Sequence, residues 1–366
     1  MSQRLRILWV ASELEPRWSG GIGRLIAGHT RALAARGHDV HLAGRARGGT
    51  PGPLEGVTLH AWPDRSAKAL QLGPLVALQR ELRADVVHFF SSLPHGALIV
   101  PFLALRPLLG RPKVVITAQT GTRADYPKLL GRVAVRRADA FHAASIWSGE
   151  RAIAAGTDPS RVHVVWNGIP SIPDVDDGAR RPVVLGLGRL VRSKGFDTLI
   201  DAFDQAVQER PEARAEWRLS VVGDGSQADA LRAQAASCAS ADRIDFPGFV
   251  FGDEKHRVLA EAGIGAVPSR ADMIPGAMLE LQSYGLPIVA CDIGAIAEGA
   301  DSGAAARLVP GEDAPAMAKA LGELMDDPSL RADLTAGSRH VSRARLFSSL
   351  APQLEELYLS LDARVS

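Results

Sequence analysis

The chain has 366 residues, 46% of them apolar and 23% charged, the mix of a globular protein long enough for two cores of average size. Net charge is only +1, and no nucleic-acid partner is expected. Two cysteines, Cys238 and Cys291, exclude a disulfide framework and match no metal-site spacing, which fits a reducing, cytoplasmic setting.

Charge is uneven along the chain. Residues 1–175 hold 22 Lys and Arg against 12 Asp and Glu, whereas the remainder holds 20 against 29. Such asymmetry suggests two bodies with different partners, the first facing an anionic acceptor or, peripherally, the inner face of a membrane. The alternative is basic decoration of solvated helices.

Strand-length apolar runs alternate with helical periodicity from the start. Leu5–Ala11 is the first run and lacks the cleavage pattern of a signal peptide. The loop Ser19-Gly20-Gly21-Ile22-Gly23 then opens a helix with Ile22, Leu25, Ile26 and Leu33 on one face. Glycines there let backbone N–H groups approach an anion, or make a plain tight turn. Further runs are Asp39–Ala43, Val57–Trp62, Asp85–Phe90, Val114–Ala118, Ala140–Ala144 and Val162–Trp166. His88, near the end of a buried-looking strand, is either a cleft residue or a satisfied core histidine. The apolar segment Leu93–Gly110, interrupted by prolines, His95 and Arg106, reads as a buried helix rather than a membrane span.

Segment Pro170–Arg181, rich in proline and aspartate, is the natural boundary. The pattern then restarts with runs Pro182–Gly186, Leu219–Val222, Ile244–Phe246, Ile264–Val267, Pro287–Ala290 and Arg307–Val309. Helix Gly195–Glu209 carries Phe196, Leu199, Ile200, Phe203, Ala206 and Val207 on one stripe. A last amphipathic helix spans about Ser348–Leu361 through Leu350, Leu354, Leu357 and Leu361. Continuous apolar strands between helices predict parallel sheets. The expected architecture is α/β: two doubly wound Rossmann-like domains facing each other across a cleft, residues 1–169 and 182–346, joined by a linker at 170–181.

Ligands of such sheets sit at the carboxyl ends of the strands. Arg189 and Lys194 follow the strand Pro182–Gly186 and precede a helix, a placement suited to a polyphosphate. Asp272 lies in the loop after Ile264–Val267, and Glu280 eight residues on in a helix from about Gly276. These carboxylates can accept from sugar and ribose hydroxyls, while free N–H groups at Gly276 and Ala277 face phosphate. Val221-Val222-Gly223-Asp224-Gly225 lacks the third glycine of a dinucleotide fingerprint. Asp174 and Asp176 mimic a metal-binding pair but lie in the linker.

The ordered set of motifs resembles the family-4 retaining glycosyltransferases of the GT-B fold over nearly the whole chain. It comprises Gly20-Gly21, Asn167-Gly168-Ile169, Gly188-Arg189-Leu190 with Lys194-Gly195, Val222-Gly223-Asp224-Gly225, Phe246-Pro247-Gly248-Phe249-Val250, Asp272 with Glu280, and Gly285-Leu286-Pro287. The resemblance implies that Arg189 and Lys194 neutralise the leaving diphosphate, that Asp272 contacts the transferred sugar, and that Glu280 binds ribose. It places Gly248, Phe249 and Val250 at the base and Gly21 near the diphosphate, and it returns the closing helix, within 347–366, to the first domain.

This sequence departs from the family pattern at Asp272 and Pro275, which stand for the more usual Glu and Gly. It departs again at Phe90 and at Thr120, in segments where the family carries histidine; Thr120 and His88 fall on the acceptor side. The expected function is retaining transfer from a nucleotide-diphosphate sugar to a sugar-containing or anionic acceptor, with no metal or other cofactor. A nucleotide-sugar epimerase of the same fold and a catalytically weakened sugar-nucleotide-binding subunit are the alternatives.

Overall fold

The structure is a computed structural model that describes residues 3–15, 18, 21–46, 48–63, 71–91, 96–118 and 129–361. It divides into two compact units, Met1–Pro170 with Arg345–Ser366, and Ser171–Ala344.

In the first unit the order begins β1 (Arg6–Leu14), α1 (Gly21–Ala35), β2 (Asp39–Ala46), β3 (Val57–Trp62), α2 (Leu72–Leu82) and β4 (Val86–Ser91). It continues through α3 (Gly96–Leu105), β5 (Lys113–Ala118), α4 (Leu129–Arg137), β6 (Ala140–Ala143), α5 (Ile146–Ala154) and β7 (Val162–Val164). The strands form one parallel sheet in the order β3-β2-β1-β4-β5-β6-β7. Leucine, isoleucine and valine side chains on both faces of the sheet are buried, which is why these runs read as continuous rather than alternating. Of the apolar segment, the part from Gly96 on forms α3 and a 3₁₀ turn (Arg106–Leu109), with Leu98, Ile99 and Phe102 in the core. Among the described residues no helix is long and apolar enough to cross a membrane.

The second unit runs β8 (Val183–Leu187), α6 (Phe196–Glu209), β9 (Arg218–Val222), α7 (Ala228–Ala236), β10 (Ile244–Gly248) and α8 (Gly252–Glu261). Then come β11 (Ile264–Val267), α9 (Gly276–Ser283), β12 (Ile288–Cys291), α10 (Ile296–Gly299), β13 (Arg307–Val309), α11 (Ala314–Asp326) and α12 (Pro328–Ala344). Its parallel sheet has the order β10-β9-β8-β11-β12-β13. The α6 stripe predicted from periodicity is wholly buried, each of its six side chains lying in the core that also holds Leu321 and Leu324 of α11. Both units are therefore doubly wound, Rossmann-like domains.

Strand order decides where a ligand fits. In the second unit the chain winds one way from β8 through β9 to β10, and the other way from β11 to β13. The winding direction therefore switches between β8 and β11, neighbours in the sheet, and the carboxyl ends of these two strands flank the crevice where ligands of such sheets bind.

The closing helix α13 (Phe347–Ser360) packs in the first unit against α1. Leu350, Leu354, Leu357 and Leu361 are buried with Leu33 and Val165, each worth roughly 1.5–3 kcal/mol of apolar burial. Phe347 fills space left by two glycines, Gly28 of α1 and Gly168, where any Cβ would overlap its ring. Backbone hydrogen bonds Ile169 N to Arg345 O (2.8 Å) and Phe347 N to Ile169 O (3.0 Å) tie the helix start to the Asn167-Gly168-Ile169 segment. Arg36 and His38, just after α1, both meet the buried carboxylate of Glu355.

Candidate donor site at the carboxyl edge of the second sheet

Three loops after β8, β9 and β10 are laced together through their backbones. Gly188 N donates to Val222 O (3.0 Å), Leu190 N to Asp224 O (2.9 Å), and Gly223 N to Gly248 O (2.8 Å). Gly223 has φ +141°, and a Cβ on it would overlap the carbonyl oxygen of Gly188. The glycines that resemble a dinucleotide fingerprint are thus required by loop-on-loop contact. On the other side of the crevice, Gly195 takes φ +66° and lies against the carbonyl of Pro268, with no room for a side chain. That approach joins the loop after β8 to the loop after β11.

Arg270 fixes this junction. Its guanidinium makes a paired hydrogen bond to Asp197 (2.6 and 2.7 Å), reaches Glu312 (2.5 Å) and donates to the Arg192 carbonyl (3.0 Å). The hydrogen bonds that Arg270 donates to Asp197, foremost, raise the Arg270 pKa, and the same bonds lower that of Asp197. This arginine is a structural clamp, fully engaged by carboxylates.

Within that frame Lys194 and Asp272 meet. Lys194 Nζ lies 2.5 Å from Asp272 Oδ2, and Ser269 Oγ donates to the same oxygen at 2.8 Å. Both charged side chains are about four-fifths covered, with 19% and 18% exposure. The ammonium is therefore paired with a carboxylate. Arg189 is different: it is exposed, at the rim of the same crevice, and its side chain has no ion pair among the described residues.

Helix α9 begins just beyond Asp272, with Pro275 in extended conformation at its N-cap. Gly276 and Ala277 are half-buried and supply the first helical amides, which have no intrahelical acceptor. Glu280 stands one turn further, and its Oε2 lies 2.7 Å from Lys255 Nζ on the first turn of α8. At the third loop Gly248 takes φ +82° and Val250 is buried, while Phe249 and Phe251 are 69% and 68% exposed. Their rings stack at a centroid distance of 6.5 Å. The site residues expected in the second unit thus gather on three adjoining loops and one helix start.

The first unit treats its expected residues differently. Gly21 is exposed at the start of α1, and a Cβ there would meet nothing within 4 Å, so packing does not require glycine. Gly20 and Thr120 lie outside the described residues. His88 needs correcting as an acceptor-side residue. It is 0% exposed, and both ring nitrogens are engaged, Nδ1 with Tyr358 Oη (2.6 Å) and Nε2 with Thr117 Oγ1 (2.8 Å). Burial holds its pKa well below the usual histidine value. It is the satisfied core histidine, pinning α13 to the sheet.

Among the described residues no group of three or more His, Cys, Asp or Glu could hold a metal ion. Asp176, in the segment expected to be a linker and here part of the second unit, caps a 3₁₀ turn through Gly178 N (2.9 Å). Two residues of the site escaped sequence reasoning, Lys255 and Ser269. Ser269 was legible only as part of the loop before Asp272. Lys255 lies 25 positions from its partner on an outwardly ordinary charged helix, and no local pattern announces the pair.

Comparison with known proteins completes the picture. A family model described as "Glycosyl transferases group 1" matches residues 181–327, and one described as "Glycosyltransferase Family 4" matches residues 19–171. The chain is 28% identical to a D-inositol 3-phosphate glycosyltransferase of Acidothermus cellulolyticus, covering 87% of this chain and 81% of that protein. It is 27% identical to a GDP-mannose-dependent alpha-(1-6)-phosphatidylinositol monomannoside mannosyltransferase of Mycolicibacterium smegmatis, covering 75% and 78%. Among solved structures, Anabaena Alr3699/HepE in complex with UDP-glucose superposes with a TM-score of 0.77 at 18% identity, covering 98% of this chain and 100% of that one.

Proposed function

From the premise that this chain is a retaining, family-4 glycosyltransferase of the GT-B fold, using a nucleotide-diphosphate sugar, we propose that its second unit holds the donor by the residues described above. In this reading residues 182–346 form the donor domain, and residues 1–169 with the closing helix take the acceptor. Arg189 and Lys194 bind the diphosphate, with the amides of Gly276 and Ala277 beside them. Asp272 contacts the sugar, Glu280 the ribose, and the Gly248–Val250 loop the base.

The observation that carries this reading is the Lys194–Asp272 contact at the sheet crossover. A diphosphate entering there competes with Asp272 for the ammonium. The exchange transfers Lys194 to the leaving group and frees a carboxylate for the sugar hydroxyls beside it. In the reaction the acceptor oxygen attacks the anomeric carbon from the face that the diphosphate leaves. The bond from that carbon to phosphate oxygen breaks, and the acceptor's proton passes to the departing diphosphate. Cations already in place stabilise the charge that develops on it.

The two carboxylates are separable by calorimetry with the bare nucleoside diphosphate. Glu280→Ala is expected to weaken its binding about tenfold, the worth of a charge-assisted hydrogen bond to ribose. Asp272→Ala should not weaken it, since the sugar is absent and Lys194 has lost a competitor, but sugar transfer should fall. The reverse order of effects would exchange the two assignments.

A further inference from the structure

We propose that Lys255 is a positioning residue for nucleotide binding, holding the Glu280 carboxylate in one orientation for the ribose hydroxyls. The proposal rests on the assignment of Glu280 to ribose. Lys255 Nζ sits 2.7 Å from Glu280 Oε2, and the two side chains are only 27% and 18% exposed. An exposed pair of this kind contributes little, because two long side chains must be ordered in water. Here most of both side chains is covered, so the pair is less screened by water and the cation fixes where the carboxylate stands.

The placement also couples two parts of the site. Lys255 lies in the first turn of α8, five residues beyond Val250, so the loop assigned to the base leads directly to the residue that aims the ribose ligand. Its neighbours Asp253 and Glu254 are exposed, whereas Lys255 is turned inward and paired.

Calorimetry with two probes tests the proposal: whichever of UDP, GDP and ADP the wild-type protein binds, and the 2′,3′-dideoxy form of the same nucleotide. Lys255→Met should weaken the ribonucleotide about tenfold and leave the dideoxynucleotide unchanged, because only the first uses Glu280. Lys255→Arg should restore most of the loss. Equal weakening of both probes would mean that Lys255 touches another part of the nucleotide, and no weakening of either would mean that Glu280 needs no help; each result overturns the proposal. If wild type and Glu280→Gln both bind the two probes equally, the ribose assignment itself falls, and this proposal with it.

Discussion

Arg189→Ala and Lys194→Ala are each expected to lower kcat by ~10²-fold or more at saturating donor, with the fold retained. The charge of a glycosyl-transfer transition state builds on the diphosphate, so a cation fixed beside it counts more there than in the ground state. Arg189 gives the cleaner test. It is exposed and makes no ion pair among the described residues, so removing it disturbs no packing. Lys194→Ala also strips Asp272 of its ion-pair partner and, among the described residues, leaves that carboxylate with Ser269 alone. The thermal midpoint should be recorded beside the rate, and Lys194→Gln serves where the alanine variant is destabilised. Near-wild-type kcat in both positions would remove these residues from the leaving-group site.

The second large effect is on stability in acid. His29, His88 and His142 are all buried around Trp9, Phe90, Phe347 and Tyr358, where α1, β1, β4, β6 and α13 meet. Burial, foremost, lowers His29 to about 3 and His142 to about 4, and puts His88 well below its ordinary value. The folded state keeps all three neutral, whereas the unfolded chain binds protons below the ordinary histidine pKa of about 6.5. The unfolded state then holds more protons, so stability falls as pH drops from about 6.5 toward 4 and is flat above that window as far as these groups are concerned.

Each such proton contributes about 1.4 kcal/mol per pH unit, so three give a limiting slope of roughly 4 kcal/mol per pH unit. His29→Leu should remove one proton from that slope without breaking a hydrogen bond, since neither ring nitrogen of His29 has a partner among the described residues. Urea unfolding at steps between pH 7 and 4.5 measures it. A wild-type stability that stays level over this range, or a slope untouched by His29→Leu, would contradict the burial of the cluster.

Much of the fold was legible because a doubly wound sheet writes itself into the chain as separate apolar runs. Val57–Trp62 and Ile264–Val267 are strands with the bounds that the runs suggested, and the α6 stripe faces the core residue for residue. The grouping of Arg189, Lys194, Asp272 and the Gly248 loop at one edge of the second sheet was legible because each follows a strand of that sheet. What escaped depends on pairing across long separations. A histidine in an apolar strand looks the same whether it opens to a ligand or bonds Tyr358, which is 270 positions away. Arg270 stands between Ser269 and Asp272 and resembles a third site cation, yet Asp197 and Glu312 consume it. Gly223 and Gly225 match part of a dinucleotide fingerprint, but their neighbours are the carbonyls of Gly188 and Leu190. In each case the residue type is informative and the partner is not.

Transfer from a nucleotide sugar is tested most directly by offering the purified protein UDP-, GDP- and ADP-sugars in excess chelator, and following the nucleoside diphosphate and the sugar's anomeric configuration by NMR. One donor is expected to release its diphosphate slowly, to water or to an added acceptor. The sugar should emerge with the configuration it had on the donor, at a rate that chelator does not change, because the proposed site gives the phosphates to Arg189, Lys194 and the helix amides. Release of inverted sugar, formation of an epimer still attached to the nucleotide, activity only with Mn²⁺ or Mg²⁺, or no release from any donor would contradict it.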